Sequence, residues 1–554
     1  MSRYRSTDGR NIQKIFCLAL EDTPAEDTCD GIAWKGEEGE LNESMSLPLV
    51  TVVGGVAGSL ILLAAAAILH AIRKHCSRSI HADAAELRTQ KLPDDSLFPL
   101  LQPNLVPMEE IATSRGYGPV LHLVQSLIGL QPTCDMALEI WPPAFECYNL
   151  TVPNLLNLPQ VLLGIAAAPK DLVSIAMYAS SRANGCAYCS SHCCSFAARR
   201  GVDPDVLRRL LEDVDASRST ASAPSPSSEE DTERQARRSV VRVAHGLGTV
   251  PASLTADDVS GIYGSSSGLS EDQVEWIVAA CAMFGSFNKL MDGLGVPLES
   301  GAYEETVGIM DERYRAGKAG ALLSPTDPTD TAIATIEQGK QGTVPPSPPP
   351  DDWTLVVAFL YQAIRPNGAI WLDSKLHGDT PATIAGCMTY LHSRFGCTFG
   401  VVLGNLKQTR IARAVTAIIG KNLDASVSTL GIKHKIVAGI QFARHLENDR
   451  LVIVLEQVLK TVAAGGRRGD EKDNGDDDER MTAMILKITK RVSFTPNRVT
   501  PRLVQEIRDF SSLTAPMLVE LVSFLAMIQM IHRIEVFYHV KHTIPMHAAS
   551  LHAD

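Results

Sequence analysis

Apolar residues recur every three to four positions through most of the chain, in runs divided by Gly-, Pro- or charge-rich breaks, and that spacing predicts amphipathic helices. Runs of β-branched residues are short and aromatics make up 5% of the sequence, so the usual signature of sheet is missing. The expected fold class is all-α. One run is different in kind: from Leu47 to Ile72, 26 residues carry no Asp, Glu, Lys or Arg, against the roughly 20 that a helix needs to cross a bilayer. Arg73, Lys74 and Arg78 follow at once, and residues 1–45 hold ten acids against five bases. Positive charge stays on the cytoplasmic side, so the expected topology is a single-pass protein with its N-terminus outside or lumenal and its main body in the cytosol. Gly54 and Gly58 form a GxxxG pair in that span.

Breaks in the pattern divide the rest. Residues 214–238 are rich in Ser, Pro and charge and read as an exposed insertion, and residues 464–480 read as a second, charged one. Residues 316–352, ending in TVPPSPPPDD, read as a Pro-stiffened linker. The expected order is an acidic segment 1–46, a transmembrane helix 47–72, a juxtamembrane linker 73–104, a helical domain 105–315, the linker, a second helical domain 353–545, and a tail 546–554.

The two helical domains read as copies of one unit. GLSEDQVEWIVAACAMFGSFNKLMDGL, from Gly268, lies without a gap on SLTAPMLVELVSFLAMIQMIHRIEVFY, from Ser512, so that Asn288-Lys289 meets His532-Arg533. Upstream, Val250-Pro251 with Thr255 matches Thr495-Pro496 with Thr500, each Thr predicted to cap a helix. SRANGCAYC (181–189) matches SRFGCTFG (393–400), which sets Cys397, Gly400 and Leu403 opposite Cys186, Cys189 and His192, and Ala382 opposite Asp171. On that alignment the second copy lacks the chemistry of the first.

A net charge of −12 argues against general binding of nucleic acid, whose phosphates need a basic surface. Twelve cysteines are too few to staple a chain of this length, so their positions matter more than their number. Cys17 and Cys29 fall on the outer side of the span, beside the glycosylation acceptor Asn42-Glu43-Ser44.

The chemistry concentrates in KDLVSIAMYASSRANGCAYCSSHCCSFAARRG, Lys170 to Gly201. Leu172, Ile175, Ala176 and Ala179 share one helix face, Asn184-Gly185 breaks that helix, and a second helix is predicted from Cys186 to a cap at Gly201. Cys186 and Cys189 then share a face of the first turn, with His192 one turn further on. A helix N-terminus stabilises a thiolate, an imidazole one turn away can carry its proton, and Asp171 on the preceding helix could orient the imidazole. The competing readings are a zinc half-site and a CxxC buried without turnover.

CAYCSSH, preceded by an amphipathic helix with an acid and followed by a helix closing on RRG, resembles the carboxymuconolactone decarboxylase superfamily in its alkylhydroperoxidase (AhpD-like), cysteine-pair branch. MFGSFNKLMDGLGVPLE (283–299) is similar to that family's closing helices. The resemblance implies that Cys189 reacts with a hydroperoxide, that Cys186 resolves the product as a disulfide, that His192 relays the proton and that Asp171 stands at the family's acid. It further implies no bound cofactor, an external dithiol reductant as partner, and assembly of helical units into homo-oligomers. Two alternatives keep the same chain: a lyase acting on a small lactone acid, and a non-enzymatic redox sensor or scaffold.

Overall fold

The computed structural model describes residues 94–310 and 368–544 with a few positions just outside them, apart from short internal stretches of which 211–228 and 466–474 are the longest. The membrane span 47–72, Cys17, Cys29, Asn42, the linker 316–352 and the tail 546–554 lie outside the described residues. Among the described residues every regular element is helical and there is no strand. The chain from Ile80 onward forms one compact unit. A single apolar core runs through both stretches that the sequence divides into domains.

Sixteen helices organise the unit. The first half contains α1 (Gly118–Ile128), α2 (Cys134–Leu138), α3 (Pro142–Leu155), α4 (Lys170–Asn184), α5 (Ala187–Arg199), α6 (Glu229–Gly248), α7 (Ala256–Tyr263) and α8 (Glu271–Leu294). The second contains α9 (Ile384–Phe395), α10 (Gly400–Leu403), α11 (Thr409–Asn422), α12 (Ile432–His445), α13 (Asp449–Gly465), α14 (Gly475–Val492), α15 (Pro501–Asp509) and α16 (Ala515–Thr543). Further helices of nine residues or fewer, Ala369–His377 among them, fill the gaps.

The centre is α8 against α16, with α3 against α11 beside it. All residues from Val274 to Leu294 and from Leu518 to Glu535 are buried. Helices apolar on every side can sit only in a core or a membrane. Among the described residues α16 alone is long and apolar enough to cross a bilayer; here it is a core helix. Around this centre α4 packs on α6 and α8, and α12 packs on α14 and α16.

The predicted caps hold. Thr255 caps α7 in a reciprocal capping box with Asp258, Thr500 caps α15, and the Val250-Pro251 and Thr495-Pro496 bonds before them are both cis. The insertions are shorter than expected. The end of 214–238 is already helix, because α6 starts at Glu229 and buries Val240, Val243, Ala244 and Leu247 as one stripe. The end of 464–480 likewise opens α14, whose first turn holds Asp476, Asp477 and Asp478, and α13 runs on to Gly465. Acid-rich stretches at these places favour the positive end of a helix dipole rather than a loop.

Packing also corrects the register between the halves. Gly129, closing α1, presses on Arg199 in α5, and Gly396, closing α9, presses on Thr461 in α13. The α9 helix therefore answers to α1, and α12 and α13 answer to α4 and α5. Cys186 caps α5 by accepting the Cys189 N–H on its Sγ at 3.4 Å; Asn448 caps α13 by accepting the Leu451 N–H on its Oδ1 at 3.0 Å. Arg199 and Thr461 each lie thirteen residues beyond these caps. The positions opposite Cys186, Cys189 and His192 are thus Asn448, Leu451 and Val454, not Cys397, Gly400 and Leu403. The short SR–Gly–Cys match aligned two different helix ends that both close on a left-handed glycine, Gly185 and Gly396.

Candidate functional site

The α4 and α5 helices form a hairpin turned at Gly185, whose φ of 85° belongs to the left-handed region and closes α4. A Cβ at Gly185 would lie 3.4 Å from Pro496 Cδ, so the second half packs directly behind the turn. Cys186 follows as the N-cap of α5, and Cys189 and His192 come one and two turns later on the same side, as the spacing predicts. Cys186 is 1% exposed and Cys189 3%. All nine described cysteines are buried free thiols.

Cys189, His192 and Cys193 line an apolar cavity of about 80 Å³. Leu127 and Phe196 form part of one wall and Met283, Phe287 and Met291 part of another, with Cys134 from α2 facing in. Cys186 is not part of the lining.

The acid that meets the imidazole is Glu299, in the extended segment after α8. Its Oε2 lies 3.1 Å from His192 Nε2, while its Oε1 accepts the Tyr188 hydroxyl at 2.9 Å and the Thr133 N–H at 2.5 Å. The Tyr188 ring meets the imidazole edge-on with centroids 4.3 Å apart. The carboxylate thus accepts the phenol and lies against the imidazole, and the phenol ring packs on that imidazole's edge.

Asp171 does not occupy that place. It stands in the first turn of α4, half-buried, fourteen residues before Gly185, or about 21 Å along a helix at 1.5 Å per residue. His192 lies only seven residues beyond the same turn, about 10 Å back. The two never come level. Glu299 closes the MFGSFNKLMDGLGVPLE segment, but no spacing rule connects it to a histidine more than a hundred residues earlier.

Burial dominates the electrostatics of Cys189. Burial holds the Cys189 thiol well above its ordinary range, and the hydrogen bond and charge of Cys186 push the same way, followed by Cys193 and Cys134. Cys134 and Cys193 are also pushed well up, burial again coming first. A thiolate at Cys189 would therefore need a base at the cavity, and His192 is the imidazole on its wall. Beyond the imidazole, the carboxyl of buried Asp135 is pushed up to about 8, mainly by burial. Among the described residues no three His, Cys, Asp or Glu side chains converge as a metal site.

Comparison of the chain with protein-family models, with curated proteins and with solved structures returns no match.

Proposed function

We propose that the chain is a membrane-anchored thiol peroxidase, held by the span at 47–72 with its helical body in the cytosol, in which Cys186 and Cys189 reduce a hydroperoxide. The observation that carries this reading is that Cys189 and His192 share the wall of an apolar cavity while Cys186 caps the same helix one turn away. The Cys189 thiol gives its proton to His192, and the thiolate attacks the terminal oxygen of the peroxide. The O–O bond breaks, the leaving alkoxide takes the proton back from the imidazolium and departs as an alcohol, and Cys189 is left as a sulfenic acid. The Cys186 sulfur then attacks that of Cys189. Hydroxide leaves with the Cys186 proton as water, and a disulfide forms. An external dithiol restores both thiols and carries the oxidation away as its own disulfide. Glu299 and Tyr188 position the imidazole throughout.

Peroxide consumption by the purified protein with a dithiol supplied tests the scheme. Cys189→Ser should abolish turnover, Glu299→Gln, at a residue that only positions the imidazole, should slow it by up to about 10²-fold, the lower limit of what general acid–base assistance contributes, and Asp171→Asn should leave it unchanged. Turnover that survives in Cys189→Ser would refute the proposal.

Burial of both thiols favours a second reading, a redox sensor in which the disulfide forms once and persists because a dithiol reaches it slowly. Stoichiometric oxidation of the pair without turnover would select this reading.

A further inference from the structure

A basic strip lies on the surface where α14 ends and α15 begins. The chain carries a net charge of −12, yet Lys487 to Asp509 holds six bases, Lys487, Lys490, Arg491, Arg498, Arg502 and Arg508, against Glu506 and Asp509. All six bases are exposed. Lys487, Lys490 and Arg491 stand three and four residues apart on one face of α14. The Arg498 N–H donates to the Arg491 carbonyl at 2.9 Å, which sets those two residues side by side at the turn. Lys487 and Arg502 share Glu506, and Arg508 pairs with Asp94 at 2.8 Å. Among the described residues Lys490, Arg491 and Arg498 meet no carboxylate, and the Arg498 guanidinium lies over the Phe494 ring, 3.7 Å from its centroid.

Helix electrostatics account for only part of this strip. Lys490 and Arg491 fall in the last turn of α14, where the dipole favours cations. The α15 helix, however, has no acid in its first turn, with Arg498 just before it and Arg502 inside that turn, at the end where the same dipole disfavours a cation. Glu506 meets just one of these two. Cations gathered against the local field call for a counter-charge from outside the fold. The point where the chain enters the helical body suggests its source. Leu87 and Leu92 already pack on the core, the Leu87 carbonyl accepts from Gln102 at 2.7 Å, and Asp94 is held by Arg508 of the strip itself. Only residues 73–86 separate Leu87 from the span expected at 47–72, a reach of at most about 50 Å. A bilayer surface at the end of so short a tether is present at high effective concentration. The cytoplasmic leaflet is negatively charged, and its potential acts over about one Debye length.

We propose that the strip from Lys487 to Arg508 docks the helical body on the anionic phospholipid headgroups of the cytoplasmic leaflet. The inference rests on the membrane-anchored reading of the chain and is independent of the cysteine chemistry.

The test uses the full chain in nanodiscs of phosphatidylcholine, alone or with about one-third phosphatidylserine. Acetylation of lysines by N-hydroxysuccinimidyl acetate is followed by peptide mass. A surface at about −30 mV raises the local proton activity about threefold and slows acetylation of an amine within its reach by the same factor. Lys490 should therefore react about threefold more slowly in the anionic discs at 0.1 M salt, where the field reaches about 10 Å, and recover at 1 M, where it reaches about 3 Å. Lys433 pairs with Asp478, about 18 Å along α14 from Lys490, and should respond much less. Arg491→Gln combined with Arg498→Gln and Arg502→Gln, all at exposed positions, should make Lys490 indifferent to the lipid. Equal Lys490 rates in the two lipids, or a triple variant that responds like the wild type, overturn the proposal. A chain that stays out of the discs refutes the span and this inference together, whereas a chain that enters them with Lys490 indifferent refutes the docking alone.

Discussion

Around the cavity, burial sets the protonation of individual side chains, and Asp135 makes this measurable. It is 1% exposed, and its carboxyl is pushed from 3.8 up to about 8 by burial, with the Gln131 amide opposing and the Glu299 charge adding. In the unfolded chain it ionises near 3.8, while in the fold it keeps its proton until about 8, so through this window the folded state binds the extra proton. Its contribution to stability is complete below the lower value and is lost as pH rises to the upper one. Asp135→Asn, which stays neutral and can still accept from Gln131 Nε2, should therefore raise the melting temperature at pH 8.5 by roughly 2 °C or more, and by clearly less at pH 5, near the lower edge of the window. An equal response at both pH values would remove the argument. At this scale the sequence displayed Cys186, Cys189 and His192 because one helix turn relates them. It hid Glu299 and Tyr188's bond to it, because only tertiary packing brings them beside His192.

Elements were legible where a local rule ends them. Gly185 closes α4, and Thr255 and Thr500 open α7 and α15, because left-handed backbone and side-chain caps are decided within four residues. Charge runs misled where a helix dipole absorbs them, as at the start of α14. Buried charges between elements could not be read at all. Lys435 on α12 and Glu520 on α16 are both fully buried with Nζ and Oε1 2.6 Å apart, and Glu520 also accepts from the N–H groups of Thr429 and Leu430. Removing the ammonium leaves this carboxylate with a charge and no counter-ion in the core. Lys435→Met should cost about 3–5 kcal/mol in urea unfolding, and Glu520→Gln added to it should recover a large part. A loss under about 1 kcal/mol would mean that the hydrogen bonds alone hold Glu520.

Across the whole molecule the halves exchange their charges. Lys289 from α8 reaches the carbonyls that end α14, and Arg533, at the matched place on α16, reaches the last carbonyl of α6. Each cation thus sits at the negative end of a helix in the opposite half. Arg410 on α11 adds bonds to Asn154, Asn157, Gln160 and the Leu158 carbonyl, and Lys421 pairs with Glu146 at 2.7 Å. With α8 buried against α16 and α3 against α11, neither half has a solvent-ready face where the other covers it. Capped helices recur in the same order in both halves, as Thr255 and Thr500 show at α7 and α15, but periodicity carries no information on whether two units stand apart or interlock. These contacts make the linker dispensable for cohesion. A protease site placed within 316–352 and cut in the folded protein should leave both fragments co-eluting in gel filtration with the circular dichroism of the uncut chain. The first half expressed alone should aggregate, since α8 would expose the surface that α16 now buries. Fragments that separate at micromolar concentration and keep their helicity would show two independent domains.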